Sequence, residues 1–186
     1  LNQLAATGLI ETLPNRGAVV KPFGPKQLRD FYELRQVLEG YATKLAHRNI
    51  NREELADVHK ATAGLLKQRG RGPAWSRRAM DVDERLHEMI STASGNDRLR
   101  EEINRYRKLM RVVRATIANE AGYQEQAIAQ HLKILEALVN DLPDEAARLM
   151  HEHIGDAAEA ALAVVFASAK EASMATDEAN RSHSTR

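Results

Sequence analysis

The sequence predicts an all-α protein: an antiparallel six-helix bundle preceded by one short β-hairpin. Three observations carry this. Ala, Leu, Glu and Arg are abundant while aromatic residues make up only 4% of the chain, a composition of helices rather than sheets. From about residue 26 onward, apolar residues recur at spacings of three and four, the repeat of a helix with one buried face. The segments sharing this repeat are separated by short breaks, and short connections make neighbouring helices antiparallel.

Taken in order, Leu1 to Ala6 reads as the last turns of a helix that Gly8 ends. Two β-prone runs follow, Leu9 to Leu13 and Ala18 to Lys21, around the turn Pro14-Asn15-Arg16-Gly17. A lone hairpin is marginal in water, so its packing partners are expected upstream. Pro22-Phe23-Gly24-Pro25 marks a linker. The first long helix spans about 26–47, with Leu28, Phe31, Leu34, Leu38, Ala42 and Leu45 as its apolar stripe. Asn51 is a good N-cap for the second, which carries Leu55, Val58 and Leu65 until the break from Gln68 to Pro73. The third stops at Ser94-Gly95, and Asn96 caps the fourth, whose stripe is Leu99, Ile103, Tyr106, Met110, Val113 and Ile117. The fifth spans about 122–140 and the sixth begins near Pro143. The expected divisions are 1–21 for the hairpin region, 22–25 for the linker, 26–169 for the bundle and 170–186 for a polar, disordered tail.

Composition excludes several classes of function. The chain of 186 residues suits one domain of ordinary size. No apolar run approaches the roughly 20 residues that cross a bilayer. It begins Leu1-Asn2-Gln3-Leu4, with neither a starting Met nor a secretory leader, and so reads as a fragment or processed product. With 27 basic and 26 acidic residues there is no bulk polycation to hold nucleic acid, so any such role is local. Cysteine is absent, which fits a reducing cytosol and rules out thiolate sites.

The informative stretch is Asp81 to Ile90. Val82, Leu86, Met89 and Ala93 form the apolar face of the third helix, and Asp83 and His87, four apart, sit on its edge. Such a pair points one way, a turn apart. His131 falls in the stripe of Ala127, Ile134 and Leu138, and His153 in that of Leu149, Met150, Ala157 and Ala160. Three imidazoles and one carboxylate directed inward from three helices suit a divalent metal, with zinc first and nickel, manganese or iron as alternatives. The competing reading makes each histidine a hydrogen-bonded core residue.

Arg35 also lies on an apolar stripe, and a buried guanidinium requires an anion. Glu39, one turn on, would satisfy it within the helix. Alternatively, Arg35 faces a cavity in which an organic acid bridges it and the metal. The basic series Arg98, Arg100, Arg105, Arg107, Lys108, Arg111 and Arg114 reads mainly as a solvated face. One of Arg107, Arg111 or Arg114 could border the cavity, but periodicity does not choose among them.

Together these residues resemble a known family. Leu9-Ile10-Glu11 through Asn15-Arg16-Gly17-Ala18-Val19-Val20 is similar to the end of the winged helix-turn-helix of GntR-type transcription regulators. Leu34-Arg35 to Ala42, Asp83 with Leu86-His87, Ser94-Gly95-Asn96, His131 and the His153 helix resemble the FadR-type effector domain called FCD. The resemblance implies that the hairpin is a remnant wing, with Arg16 and Gly17 as DNA-contacting candidates. It also implies that Asp83, His87, His131 and His153 are metal ligands, and that the protein is a cytoplasmic homodimer. In that picture the protein is not an enzyme but a transcription regulator, often a repressor, that binds a DNA operator and answers to a small organic acid. This stretch alone, lacking the first helices of the winged domain, is expected to bind DNA weakly or not at all. A metal-dependent enzyme and a purely structural metal site are the rival readings.

Overall fold

The structure, a computed structural model, describes residues 10–13, 17–20, 23–111, 113–114 and 122–183, with side chains over 23–111, 113–114 and 122–166. Strands β1 (Ile10–Leu13) and β2 (Gly17–Val20) pair antiparallel, Ile10 opposite Val20 and Leu13 opposite Gly17. Gly17 thus opens β2, whereas Arg16 lies outside the described residues.

Among the described residues six helices come after the hairpin: α1 (Pro25–Ala46), α2 (Arg52–Lys67), α3 (Pro73–Ala93), α4 (Asp97–Leu109), α5 (Tyr123–Val139) and α6 (Pro143–His183). Their starts have local causes. Proline opens α1 and α3, where its missing N–H would have had no partner in any case. Asn51 Oδ1 accepts the backbone N–H groups of Glu53 at 2.9 Å and Glu54 at 3.1 Å, and Asn96 Oδ1 that of Leu99 at 3.1 Å. The α3–α4 turn needs Gly95, whose φ is +70° and whose Cβ, if present, would lie 3.0 Å from Asn49 Nδ2. Helix α1 packs along α6, α6 on α5, α5 on α2, and α3 contacts α1, α2, α4 and α5. That arrangement leaves α3, α5 and α6 sharing one interior. Leu28, Leu86, Ile134, Leu135, Leu138, Met150 and Ile154 are sealed in the core there.

The fold departs from the expected elements in three places. The buried line of α1 is Leu28, Tyr32, Arg35, Glu39, Ala42 and Ala46, while Leu34 is 44% and Val37 63% exposed. The helix is rotated from its most apolar stripe because a paired Arg and Glu occupy interior positions. Helix α4 ends at Leu109 instead of running on to Ile117: Met110 departs from helical geometry (φ −82°, ψ 6°) while its side chain stays buried. Arg111, Val113 and Arg114 are helical again beyond it, and Ile117 lies outside the described residues. The stretch expected as a disordered tail continues α6 as far as His183. Ala, Lys, Glu and Met there are strong helix formers, and a helix already nucleated by packing propagates through them at little cost.

Candidate metal centre

Helical phase brings the centre together. His87, His131 and His153 are at most 4% exposed, and Asp83 stands at the edge of the same interior, its side chain 21% exposed. Asp83 Oδ1 lies 3.6 Å from His87 Nε2 and 3.6 Å from His131 Nε2, and the Nε2 atoms of His131 and His153 are 3.0 Å apart. One donor atom from each of the four falls within 4.8 Å of all the others. With metal–ligand bonds of about 2.0–2.1 Å, neighbouring donors of a tetrahedral site stand about 3.4 Å apart, so these spacings fit a first-row divalent ion.

The groups behind the donors set the ring orientations. The Nδ1–H of His87 donates to Glu39 Oε2, which leaves its Nε2 bare, and that buried atom has no hydrogen-bond partner among the described residues. His153 is held in the same way, its Nδ1–H donating to Gln130 Oε1 at 2.9 Å. A carboxylate or amide behind a ligating imidazole fixes its tautomer and turns the lone pair toward the metal. An interior nitrogen lacking any protein partner is unfavourable in an ordinary core, and a cation would satisfy it.

Charge around the centre is dense and paired. Glu39 accepts from Arg35 Nε at 2.8 Å, both side chains almost wholly buried. Arg107, 4% exposed, reaches Asp83 Oδ2 at 3.0 Å and Glu84 Oε2 at 2.9 Å, and Arg114 bonds the same Asp83 oxygen. Burial alone would raise the carboxyls of Asp83 and Glu39, but the adjacent guanidiniums outweigh it and both are held well below the usual carboxylate range. Asp83 is therefore an anion ready to ligate.

The histidines are displaced in the same downward direction for a different reason. Burial penalises the imidazolium of all three, reinforced at His87 by Arg107 and at His153 by His131, while His131 is pushed down to about 3. Because these folded values lie below the unfolded value of about 6.5, the stability they confer is present above that pH and lost as pH falls through the folded values. In chelator, the chain should lose stability as pH falls from about 7.5 to about 5.5, about 1 kcal/mol of it from His131. Urea midpoints across that interval check this, and a midpoint that does not move would contradict the buried, neutral assignment.

Beside the donors lies a cavity of about 50 Å³ lined by Asp83, His131, Arg114, Tyr123 and Gln124 among others. Of the three arginines the sequence left open, Arg114 lines this cavity, Arg107 is buried behind Asp83, and Arg111 is exposed and lines only the adjoining groove, which Arg107 and Arg114 also border. Arg35 is not among the lining residues; its partner is Glu39, the intrahelical alternative. Sequence reasoning did not identify Glu39 as the acceptor for His87, nor Gln130, nor Arg107 as an interior residue. The inward phase of Glu39, four residues after Arg35 on the same helix, was the available signal.

The FCD domain model matches residues 30–156, which contain all four donors. The chain is 28% identical over 156 residues to the Nta operon transcriptional regulator of Aminobacter aminovorans, covering 83% of this chain and 70% of that protein. Among solved structures, the metal-free FCD domain of TM0439 superposes with a TM-score of 0.66 at 20% identity, covering 79% of this chain and 99% of that one. A GntR-family transcriptional regulator from Pseudomonas syringae pv. tomato superposes with a TM-score of 0.60 at 20% identity, covering 92% of this chain and 70% of that one. These relatives are transcription regulators, which removes the enzyme alternative. Among the described residues no helix is long and apolar enough to cross a membrane. The chain belongs to the FCD-domain family of GntR-type transcription regulators.

Proposed function

We propose that this chain senses a small organic acid through a divalent metal, zinc before nickel, manganese or iron, held by Asp83, His87, His131 and His153. The convergence of four donor atoms within 4.8 Å beside a cavity that Arg114 also lines carries the reading. When bound, the metal supplies a Lewis-acidic position for a ligand oxygen. The chain's residues do the remaining work: Glu39 and Gln130 orient His87 and His153, Arg107 and Arg114 keep Asp83 ionised, and the bundle excludes bulk water.

In this reading the bundle, residues 26–169, regulates a winged DNA-binding unit of which residues 1–21, containing the β1–β2 hairpin, are the C-terminal remnant. Arg16 and Gly17 are its DNA-contacting candidates, glycine permitting a tight turn and arginine meeting phosphate or the minor groove. The protein acts in the cytoplasm as a homodimer that represses from an operator. An acid that binds one bundle arrangement better than another shifts the population, and the linker 22–25 passes the change to the DNA-reading units. Arg35, behind Glu39, supports the anionic side of the pocket.

The test is a mobility-shift titration of the full-length regulator on its upstream DNA, with zinc present and small carboxylic acids added singly. Retarded DNA released by one acid, and no longer released after chelation, is the expected result. Acid-induced release that chelator leaves unchanged would separate sensing from the metal, and no release by any acid would leave a structural metal as the better reading.

A further inference from the structure

Charge in the cluster is balanced before any metal is added. Three guanidiniums, of Arg35, Arg107 and Arg114, face three carboxylates, of Glu39, Asp83 and Glu84. Ligating imidazoles are neutral, so a divalent ion adds two positive charges to a site that was even. Apart from Glu84, whose side chain is 65% exposed, the cluster is largely buried, and an uncompensated charge there is costly. The metal-loaded site therefore favours a ligand that brings two negative charges.

The arginines decide where the second charge would rest. Arg35 is committed to Glu39 and does not line the cavity. Arg107 is wrapped by Asp83 and Glu84. Arg114 lines the cavity itself, and its contacts with Asp83 and Glu84 both run through Nη2, which keeps Nε and Nη1 out of those pairs. Two further donors of the charged cluster, outside the cavity lining, are unsatisfied. The hydroxyl of Tyr32, a residue only 1% exposed, has no hydrogen-bond partner among the described residues, nor has Arg107 Nη1. Tyr32 is near enough to Arg114 and Asp83 for both charges to act on it. The cavity of about 50 Å³ has room for roughly three to five water-sized groups at about 10–15 Å³ each. That volume suits a short molecule.

We propose that the cavity takes a two- or three-carbon dicarboxylate, one carboxylate beside Asp83 and the three histidines, the other held by Arg114 rather than Arg35. This rests on the metal-and-acid reading above and narrows it to a dianion and a named receptor. Arg114 is thereby the residue that separates diacids from monoacids.

Calorimetric titration of the zinc-loaded chain with oxalate, malonate, inorganic phosphate and acetate tests it, at concentrations that leave the bound zinc in place. Oxalate or malonate should bind at least ten-fold more tightly than acetate. Arg114→Gln, titrated at zinc concentrations that keep its site loaded because Arg114 also supports Asp83, should bring the diacids to the acetate level, and Arg111→Gln, in the neighbouring groove, should leave the ranking as it was. Acetate equal to the diacids, phosphate tighter than both, or diacid affinity surviving in Arg114→Gln overturns the proposal and leaves the metal reading intact. Should zinc itself fail to bind the unaltered chain, both fall. The ranking of anions on the unaltered protein decides the matter even if Arg114→Gln does not fold.

Discussion

His131→Ala is expected to abolish the thermal stabilisation that zinc confers on the unaltered chain. An ion that binds only the native state stabilises it by about 2.7 kcal/mol at a free concentration one hundred times its Kd. For a domain of this size that is a rise in Tm of roughly 5–10 °C. His131 supplies the donor between Asp83 Oδ1 at 3.6 Å and His153 Nε2 at 3.0 Å, so its loss opens the middle of the set. Removing a fully buried side chain also lowers the baseline; each variant is therefore compared with itself in chelator and in zinc. Asp83→Asn, nearly the same size, should lose most of the rise for want of the anion. Elemental analysis completes the measurement: variants that keep both full zinc content and the full Tm increment would mean the ion, if any, is held elsewhere.

The second large effect concerns the ion pair behind the centre. Arg35→Met should destabilise the metal-free chain by about 3–5 kcal/mol, because it strands the Glu39 carboxylate in the interior. Glu39 would keep His87 and, at 3.9 Å, Arg107 Nη1, so the effect belongs at the lower end of that range. Adding Glu39→Gln to Arg35→Met should restore more than about 1 kcal/mol, since a neutral amide oxygen still accepts from His87 Nδ1–H and no unpaired charge remains. Urea unfolding of the single and double variants gives the comparison. A single variant as stable as the parent would show that Glu39 is compensated by something other than Arg35.

These two experiments separate donors from their supports. Loss of a donor removes the ion, whereas loss of a group behind a ligand weakens metal binding by about 10–100-fold without abolishing it. Glu39 and Gln130 belong to the second kind through their bonds to His87 and His153.

Much of the centre was legible in the sequence because helical periodicity reports direction. Asp83 and His87 are four apart on α3, and His131 and His153 share the phase of buried Ile134, Leu138, Met150 and Ala157, so all four had to face inward once their helices packed. The caps Asn51 and Asn96 and the stop at Gly95 were readable for the same local reason, since each acts within a few residues of itself. Arg35 was readable as an inward cation, and its partner only as one of two alternatives.

Other features depended on which helix stands opposite which. Glu39 meets a histidine 48 positions away because α1 packs on α3. Arg107, Arg111 and Arg114 look alike in a basic run, yet one is buried, one is exposed and one lines the cavity. The bend at Met110 changes the helical phase of Arg111 and Arg114, and no local signal announces it. Leu34 and Val37 are apolar and exposed because the interior side of α1 is taken by charges that neutralise one another. Direction along a helix is a local property of spacing, so the sequence alone determined which side chains point inward. The partner each one meets there is set by long-range packing and charge neutralisation, and only the tertiary structure decided it.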